Sequence, residues 1–386
     1  MRINGLNLLR RLRLIQSWPG RAILTLILLL WRWGVKGHKP EIPQRIFILR
    51  NNDLGDLLII TPLFAALKQR YPQAEIWVGV GHWNVPTLEQ NPFVDRILPI
   101  NAPWHNKGVS QQSLWRRWRY LLTSPELFAL RDFKADVGID IFGSPWGAML
   151  LLRAGIPYRL GVRGYAGGAI AAHDWIDYDP QLQVGRSALR FATLLGATAL
   201  PAARPQLFLT VPEQAAAEQR WRRIASDRHR MIIGPGSGLD ERYWPLASYQ
   251  VLAAELANWQ TVSVVLVGGG GDRAAAVEMM QGAGAQPNLW DWTGQLSLRQ
   301  TFALVATADL VISNSSMLMH AAAAFNVETL VLLGGAFASR KQHDCQWGYD
   351  AHYWSLGKEP GEQLNIASPA AAIAQVKCLL QSQPES

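Results

Sequence analysis

The sequence predicts an α/β protein of two domains, each built on a parallel sheet that helices cover on both faces. Three observations support this fold class. Short runs rich in Ile, Val and Leu alternate with segments of helical spacing, these runs form two groups, and the Ala- and Pro-rich stretch Ala197–Gln214 lies between the groups as a linker. Buried parallel strands have this apolar character, and two such domains of similar size are expected to face each other across a cleft.

The length of 386 residues accommodates this organisation. We expect a first domain at residues 45–205 and a second at 206–386 with a terminal helix, after a separate segment at residues 1–44. Strands are predicted at Arg45–Leu49, Glu75–Val80, Val137–Ile141, Met231–Ile233, Val262–Val267, Leu310–Ser313 and Thr329–Leu333. Helices are predicted at Leu57–Arg70, Leu114–Leu122, Gly185–Leu195, Glu213–Ser226, Leu246–Ala257, Leu298–Ala306 and Met317–Phe325.

The N-terminal segment carries the net charge of the chain. Met1–Arg45 holds nine Lys/Arg and one acid, so it accounts for the whole formal charge of +8, and the remainder has 28 residues of each sign. A neutral body argues against nucleic-acid binding, because no basic stripe is left to meet phosphates. The two cysteines, Cys345 and Cys378, form no disulfide framework or metal site, which favours a reducing compartment.

The same segment suits a membrane surface. Its apolar stretch, Ala22–Trp31, has ten residues, whereas a helix needs about 20 to span a bilayer. Leucines mixed with arginines and bordered by tryptophans are typical of a helix lying in the membrane interface, with its basic face towards anionic headgroups. The alternative is a buried helix that packs on the body and leaves its arginines solvated.

The first candidate site follows strand Arg45–Leu49, in the stretch RNNDLGDLL. Open α/β folds place ligands at such strand-to-helix crossings. We expect Asn52, Asp53 and Gly55 to line the cleft, with Gly55 allowing a tight backbone. Asp56 has two interpretations. The first is structural, in which it caps the helix or offsets the helix dipole. The second is catalytic, in which it lies at the cleft as a general base.

The second candidate is the loop after Met231–Ile233, in MIIGPGSGLDERYWP. Its glycines, including Gly236, allow main-chain N–H groups to converge on an anion, and Ser237 adds a donor. Arg242 would supply a charge-assisted contact to phosphate. The alternative is an ordinary glycine-rich loop.

A third glycine-rich stretch, VVLVGGGGDRAA, resembles a dinucleotide-binding fingerprint only in part. Gly268 and Gly270 fit the first two glycine positions, but Arg273 stands at the third. A match this incomplete is weak. It indicates a strand end at the cleft and disfavours an NAD-dependent dehydrogenase.

The fourth candidate is the stretch ISNSSMLMHAAAA, where a strand ends and a helix of small residues begins. Asn314, Ser315 and Ser316 place polar groups at the helix N-terminus, a favourable position for phosphate or ribose. His320 is either a ligand contact or a satisfied structural histidine. In the later loop ASRKQHDC, Arg340 and Lys341 are candidate phosphate contacts.

The segment SLWRRWRY, Ser113–Tyr120, interleaves arginines with aromatic residues. It is either an amphipathic surface helix with half-buried tryptophans or a contact for a lipid-linked or anionic glycan acceptor.

Taken in order, these motifs resemble glycosyltransferase family 9, the ADP-heptose:lipopolysaccharide heptosyltransferase family. The resemblance covers about Arg45–Leu333. It rests on Leu-Gly-Asp at 54–56, Pro62 and Tyr-Pro at 71–72, on Arg-Tyr-Trp-Pro at 242–245, on DWTGQLSL at 291–298, and on the Asn314 to His320 segment before an alanine-rich helix.

The resemblance implies a GT-B fold, with two Rossmann-like doubly wound domains facing a central cleft. It implies that the N-terminal domain binds the acceptor and the C-terminal domain a nucleotide-diphosphate sugar, with ADP as the favoured nucleotide. The transfer would be inverting and would need no metal and no cofactor. Asp56 would be the base, and the loop near Ser237, with Arg242, would stabilise the leaving diphosphate. Asn314, Ser316 and His320 would hold the ribose, diphosphate or sugar.

Two positions depart from the family pattern. Ser315 stands where the family has an aspartate expected to touch the donor, and Met317 stands where it has a glycine. These changes leave the donor open and motivate an alternative, a non-catalytic binding protein of the same fold. A nucleotide-sugar epimerase or hydrolase is a further alternative, since it would need no acceptor.

The function predicted from the sequence is therefore sugar transfer, with heptose as a candidate sugar, to a cell-envelope glycan or lipid-linked acceptor. The protein would work in the cytoplasm, attached peripherally to the inner membrane through residues 1–44.

Overall fold

The computed structural model describes most of the chain, namely residues 26–28, 37–105, 113–225, 228–236, 243–358 and 366–381. Within these ranges the chain forms two six-stranded sheets, and every strand pair in them is parallel. Neither cysteine forms a disulfide.

The first sheet is built from the N-terminal half. Its strands are β1 (Arg45–Leu49), β2 (Glu75–Val80), β3 (Arg96–Pro99), β4 (Val137–Asp140), β5 (Tyr158–Arg163) and β6 (Asp174–Asp177). Its helices are α1 (Leu54–Leu58), α2 (Pro62–Arg70), α3 (Val85–Leu88), α4 (Leu114–Thr123), α5 (Pro125–Phe133), α6 (Pro145–Arg153) and α7 (Val184–Leu194).

The second sheet is built from the C-terminal half. Its strands are β7 (His229–Gly234), β8 (Val262–Leu266), β9 (Leu289–Asp291), β10 (Leu310–Ser313), β11 (Glu328–Leu332) and β12 (Tyr353–Leu356). Its helices are α8 (Val211–Arg222), α9 (Leu246–Ala257), α10 (Arg273–Ala283), α11 (Leu298–Ala306), α12 (Met317–Phe325), α13 (Arg340–Trp347) and α14 (Pro369–Gln381).

Each sheet is packed on both faces, because successive strand residues point to opposite sides. In β1, Ile46 and Ile48 belong to the core cluster that includes Phe64 of α2, whereas Phe47 and Leu49 belong to the cluster on the other face. The near-continuous apolar strands that the sequence shows are thus explained by burial from above and below.

The two sheets share one strand order. The order is β3-β2-β1-β4-β5-β6 in the first sheet. In the second sheet it is β12-β11-β10-β7-β8-β9, which is the same order read from the opposite edge. The order reverses between β1 and β4 and between β7 and β10. In open α/β folds a crevice forms at the carboxyl ends of the strands at such a reversal, and ligands bind there.

The seven predicted strands are present, with ends that shift by at most two residues. The strands that sequence patterning missed are β3, β5, β6, β9 and β12. Four of them are sheet edges. Edge strands are only partly buried, so sequences such as DWID and RILP need no continuous apolar run.

Two predicted elements need correction. The single helix expected at Leu57–Arg70 is two helices, α1 and α2, because Pro62 lacks the N–H that would continue the first one. The expected linker Ala197–Gln214 ends inside α8, which begins at Val211 behind a capping box formed by Thr210 and Glu213.

Part of the N-terminal segment is described. Residues 26–28 are helical, and Leu28 is buried in the same cluster as Phe47, while Leu26 is exposed. In this one turn, the burial of Leu28 agrees with the alternative interpretation, in which the segment is a helix packed on the body. The rest of the predicted membrane-associating segment up to Lys36 lies outside the described residues. Within the described ranges, no helix is long and apolar enough to cross a bilayer.

Arg299 of α11 joins the two halves of the chain. Its guanidinium donates to both carboxylate oxygens of Glu213 at 2.7 and 2.6 Å, to the main-chain oxygen of Phe208, and to those of Pro86 and Glu89. The hydrogen bond from Arg299 is the largest cause that lowers the pKa of Glu213, to about 2. One largely buried side chain thus ties α3 of the first half to α8 and α11 of the second.

Arg299→Met should lower the free energy of unfolding by about 3 kcal/mol near neutral pH, since it leaves Glu213 and several main-chain oxygens without their donor. The folded-state pKa of Glu213 lies below its ordinary value of 4.5, so the pair stabilises the fold above that pH and the stabilisation is lost towards pH 2. Urea unfolding at pH 7 and pH 3 measures both effects. Arg222→Met, at an exposed arginine of α8, is the control, and an equal loss there would refute the role of Arg299.

Candidate active site

The loop after β1 is built around a buried arginine. Arg50 donates from its main-chain N–H to Gly79 and from Nε to the main-chain oxygen of Asp56 at 3.1 Å. Its guanidinium also lies 3.5 Å from the Asp56 carboxylate. Arg50 thus holds the start of α1 against the end of β1 and sets a positive charge beside Asp56.

Asp56 does not cap α1, which corrects one of its two expected structural roles. The cap position is held by Asp53, and Asp56 lies in the first turn of the helix. A carboxylate there interacts favourably with the helix dipole. Its side chain keeps 24% of its surface exposed, so Asp56 is a partly exposed carboxylate beside a buried cation.

Asn52 is held by two residues that follow the neighbouring strand β2. Its main-chain oxygen accepts hydrogen bonds from the Trp83 indole at 3.1 Å and from the Asn84 amide at 2.9 Å. Its own side-chain oxygen is buried and has no hydrogen-bond partner among the described residues. The loop is therefore rigid and presents one unsatisfied acceptor.

Gly55 brings the two halves together. Helix α1 packs on α12, and a Cβ added at Gly55 would lie 2.8 Å from Cδ2 of His320. Gly55 is helical and has no positive φ, so the residue is needed for close approach rather than for the tight turn that the sequence suggested. His320 is buried and shares a hydrogen bond through Nδ1 with the Tyr349 hydroxyl. The structure thereby brings the Asp56 loop and His320 together.

The glycine-rich loop and the Asn314 segment lie at the second strand reversal, where Gly234 and Ser313 are register partners. Buried Asn314 donates to the main-chain oxygen of Pro235 and accepts from the main-chain N–H of Trp244 at 2.8 Å. Asn314 thus fastens both ends of the loop. Ser237 and Arg242, the predicted phosphate contacts in that loop, lie outside the described residues.

Gly236 lies against an acid that sequence reasoning left unassigned. A Cβ at Gly236 would meet Oδ1 of Asp272 at 2.6 Å, and Asp272 also accepts from the main-chain N–H of Gly269 at 2.8 Å. Asp272 therefore orders the turn after β8 and sets its carboxylate beside the glycine loop. Its place directly after four glycines at a strand end is the signal that could have identified it.

Ser315 lies at the end of a series of hydrogen-bonded polar side chains that is largely buried. Its hydroxyl is 2.9 Å from Nε2 of His343, and Nδ1 of His343 is 2.9 Å from Asp344. Because a carboxylate only accepts, Nδ1 carries the proton in that bond. Tyr353 and Ser355 also donate to Asp344, each at 2.7 Å.

Asp344 supplies the carboxylate of this hydrogen-bonded series of side chains. Burial alone would raise the pKa of Asp344, but the hydrogen bonds from His343, Ser355 and Tyr353 outweigh it, so the pKa is lowered. The carboxylate is therefore ionised at neutral pH. His343 and Asp344 were missed because the loop ASRKQHDC was interpreted only through its basic residues, and only the tertiary fold brings His343 to Ser315.

The remaining predicted residues lie at the N-termini of α12 and α13. The Ser316 hydroxyl is buried and has no hydrogen-bond partner within the described ranges. Arg340 and Lys341 form the first turn of α13, with Arg340 half-buried and Lys341 exposed. Across the described part of the chain, no three His, Cys, Asp or Glu side chains are grouped so that they could hold a metal ion.

Asp140 at the end of β4 is a further buried acid, and β4 adjoins β1 at the first strand reversal. One carboxylate oxygen accepts from the main-chain N–H of Phe142 at 3.1 Å, and the other has no partner among the described residues. Burial raises the pKa of Asp140 to about 7, although Arg50 and main-chain hydrogen bonds act in the opposite direction. Because Asp140 lies inside the predicted strand Val137–Ile141, it gave no separate sequence signal.

A sequence model described as glycosyltransferase family 9 (heptosyltransferase) matches residues 128–342, more than half of the chain. The chain is 27% identical over 303 residues to lipopolysaccharide heptosyltransferase 2 of Salmonella typhimurium, covering 75% of this chain and 83% of that protein.

Solved structures show the same architecture. The E. coli ADP-heptose LPS heptosyltransferase II has a TM-score of 0.69 at 23% identity, covering 87% of this chain and 98% of its own. An E. coli heptosyltransferase solved with ADP has a TM-score of 0.64 at 15% identity, covering 87% of this chain and 99% of its own. At these identities the likeness establishes the fold, which is the predicted GT-B arrangement of two parallel α/β sheets.

Asp140→Asn should change how stability depends on pH. A raised folded-state pKa means that the folded chain binds the proton more tightly, so the parent loses stability as pH rises from about 4 to 7. The variant cannot titrate there, and its stability relative to the parent should improve by at most about 4 kcal/mol over that interval. Thermal unfolding from pH 4 to 8 measures the difference, with exposed Asp179→Asn as the control. Parallel pH curves for parent and variant would contradict the assignment.

Proposed function

The chain belongs to glycosyltransferase family 9, and from this premise we propose that it is an inverting, metal-independent transferase that uses a nucleotide-diphosphate sugar. The favoured donor is ADP-linked, with heptose as the candidate sugar. The observation that carries the proposal is the packing of α1, which carries Asp56, on α12 through the contact between Gly55 and His320. This contact lies between the two strand reversals, where ligands of this architecture bind.

Asp56 is the proposed base. It would take the proton from the acceptor hydroxyl while that oxygen attacks the anomeric carbon of the donor sugar from the face opposite the leaving diphosphate. A single displacement of this kind inverts the anomeric configuration. Arg50 supports the role because its guanidinium lies 3.5 Å from the carboxylate and orients it, while the side chain stays partly exposed.

The leaving diphosphate would be held at the second strand reversal. The N-terminus of α12 and the loop around Gly236 offer main-chain N–H donors, and such donors stabilise growing negative charge without reorganising. Ser237, Arg242, Arg340 and Lys341 remain the candidate phosphate contacts. Charge balance by these groups is the basis for proposing that no metal takes part.

The donor contacts would come from Asn314, Ser315, Ser316 and His320. Asn314 would act by shaping the loop, because its amide already bonds to Pro235 and Trp244. Ser315 would present a hydroxyl held by His343, and Ser316 a buried hydroxyl that a donor oxygen can satisfy. The acceptor would be a cell-envelope glycan or lipid-linked sugar at the cytoplasmic side of the inner membrane, with residues 1–44 on the membrane surface.

Asp56→Asn should leave donor binding nearly unchanged and lower the transfer rate by about 10²- to 10⁴-fold, since an amide cannot accept the proton. Single-turnover transfer and donor titration on the full chain separate the two quantities. Asp132→Asn, at an exposed acid of α5, is the matched control. Undiminished transfer by the Asp56 variant rules out this residue as the base.

A nucleotide panel tests the donor. ADP, UDP, GDP, CDP and dTDP, and their sugars, are added to the full chain with and without EDTA, and the thermal midpoint is measured. Ligand at 100 times its dissociation constant should stabilise by about 2.7 kcal/mol, and we expect this for ADP compounds in EDTA.

Each other outcome has a distinct meaning. A shift in midpoint with a nucleotide other than ADP would assign that nucleotide to the donor. A shift that EDTA abolishes would contradict metal independence. No shift with any nucleotide favours a non-catalytic protein, and consumption of the donor without an acceptor favours an epimerase or hydrolase.

A further inference from the structure

The outward side of α4 and α5 is unusually apolar for a protein surface. Leu114, Trp115 and Leu122 of α4 and Phe128 of α5 are all exposed, with Trp115 at 67% and Leu122 at 48%. We call these four residues, together with Arg116 and Arg119, the α4–α5 face. Single exposed apolar residues are ordinary, but four on two adjoining helices mark a contact surface.

On α4 the charges of this face have one sign, whereas on α5 the exposed Arg131 and Asp132 balance each other. Arg116 and Arg119 are exposed, and α4 contains no acidic residue. Trp115, Arg119 and Leu122 follow helical spacing, which puts them on one side of α4. The Arg119 guanidinium lies 5.5 Å from the centre of the Trp115 ring. Tryptophan, leucine and arginine mixed on one helix side are typical of helices that lie in a membrane interface.

The opposite side of α4 is anchored, so the exposed side is fixed in place. Leu121 is fully buried, and the Arg117 guanidinium lies 5.1 Å from the Trp146 ring in the core. Ser113 begins the helix by accepting from the main-chain N–H of Arg116. Exposure of Trp115 and Leu122 is therefore not the result of a loosely attached helix.

The basic N-terminal segment reaches the same part of the molecule. Leu28 is buried in the apolar cluster that contains Leu121, Leu127 and Leu130 of α4 and α5. The segment around Leu28 carries the whole net charge of the chain. Two basic and apolar features, remote in sequence, thus adjoin one core cluster.

These observations favour a lipid surface over a second copy of the chain. A symmetric dimer through this face would bring Arg116 and Arg119 of both copies together, and like charges oppose such a contact. An anionic bilayer instead offers phosphates to the arginines and an apolar layer to the tryptophan and leucines.

We propose that the α4–α5 face docks on an anionic membrane, with Trp115, Leu114 and Leu122 entering the headgroup region and Arg116 and Arg119 contacting lipid phosphates. This deepens the proposed function, on which it rests, by naming the surface that would keep the acceptor half at the bilayer. It also gives the body of the protein a part in attachment, beside residues 1–44.

The test is flotation of the full chain with vesicles of phosphatidylcholine alone or with about one third phosphatidylglycerol. Arg116→Glu with Arg119→Glu should weaken binding to the anionic vesicles about tenfold or more, since each basic residue near the surface contributes measurably. Trp115→Ser with Leu122→Ser should weaken it as well, while both double variants keep the thermal midpoint of the parent. The matched controls are Arg222→Glu with Arg223→Glu and Val251→Ser, at exposed positions of the second half.

Three outcomes would overturn the proposal. The first is unchanged flotation of both double variants, which would assign attachment to the N-terminal segment alone. The second is equal loss in the controls. The third is a parent that is dimeric by light scattering and becomes monomeric on charge reversal, which would assign the face to a second copy. Failure of the proposed function is separable, because Asp56→Asn should float like the parent whether or not it transfers sugar.

Discussion

The structure depends most on the contact between α1 and α12, where His320 lies against the hydrogen of Gly55. A Cβ at position 55 would lie 2.8 Å from Cδ2 of His320, so a larger residue there would force the imidazole to shift. The contact continues into the core, since Leu58 of α1 is buried in a cluster with Ile232 and Leu318 of the second half. The distance between the two strand reversals, and therefore between Asp56 and the α12 terminus, is set here.

Contacts on either side of this helix pair also join the two halves. Arg299 binds α3 and α8 on one side. On another side, Arg186 pairs with Asp350 at 2.6 Å, and Arg204 donates to the main-chain oxygen of Ala351. The latter contacts are exposed and contribute little to stability. Largely buried Arg299 and the contact between α1 and α12 therefore contribute more to holding the two halves together than the exposed pairs do.

The sequence predicted the central strands and the position of the candidate site, and it failed where burial is partial or contacts are long-range. Arg45–Leu49 and Leu310–Ser313 are buried on both faces, so their apolar runs were clear, and the loops after them stood out by their polarity. The edge strands lack such runs. Part of the surroundings of Arg50, Asp140 and His343 comes from residues far away in the chain, and no local pattern encodes a partner that distant. These distant residues are Gly79 for Arg50, Arg50 for Asp140 and Ser315 for His343. Asn314 was identified as polar, but its bonds to the two ends of the glycine loop are visible only in the fold.

Ser315 shows how one substitution changes the electrostatics of this site. The family pattern expects an aspartate at this position, whereas here the side chain that follows Asn314 is neutral. The ionised carboxylate is Asp344, which lies behind Ser315 and reaches it through His343. Three donors satisfy Asp344, so its charge is compensated where it is buried. A ligand at the N-terminus of α12 would therefore meet a fixed hydroxyl rather than an anion. An aspartate at position 315 would instead place an uncompensated negative charge beside the proposed diphosphate site.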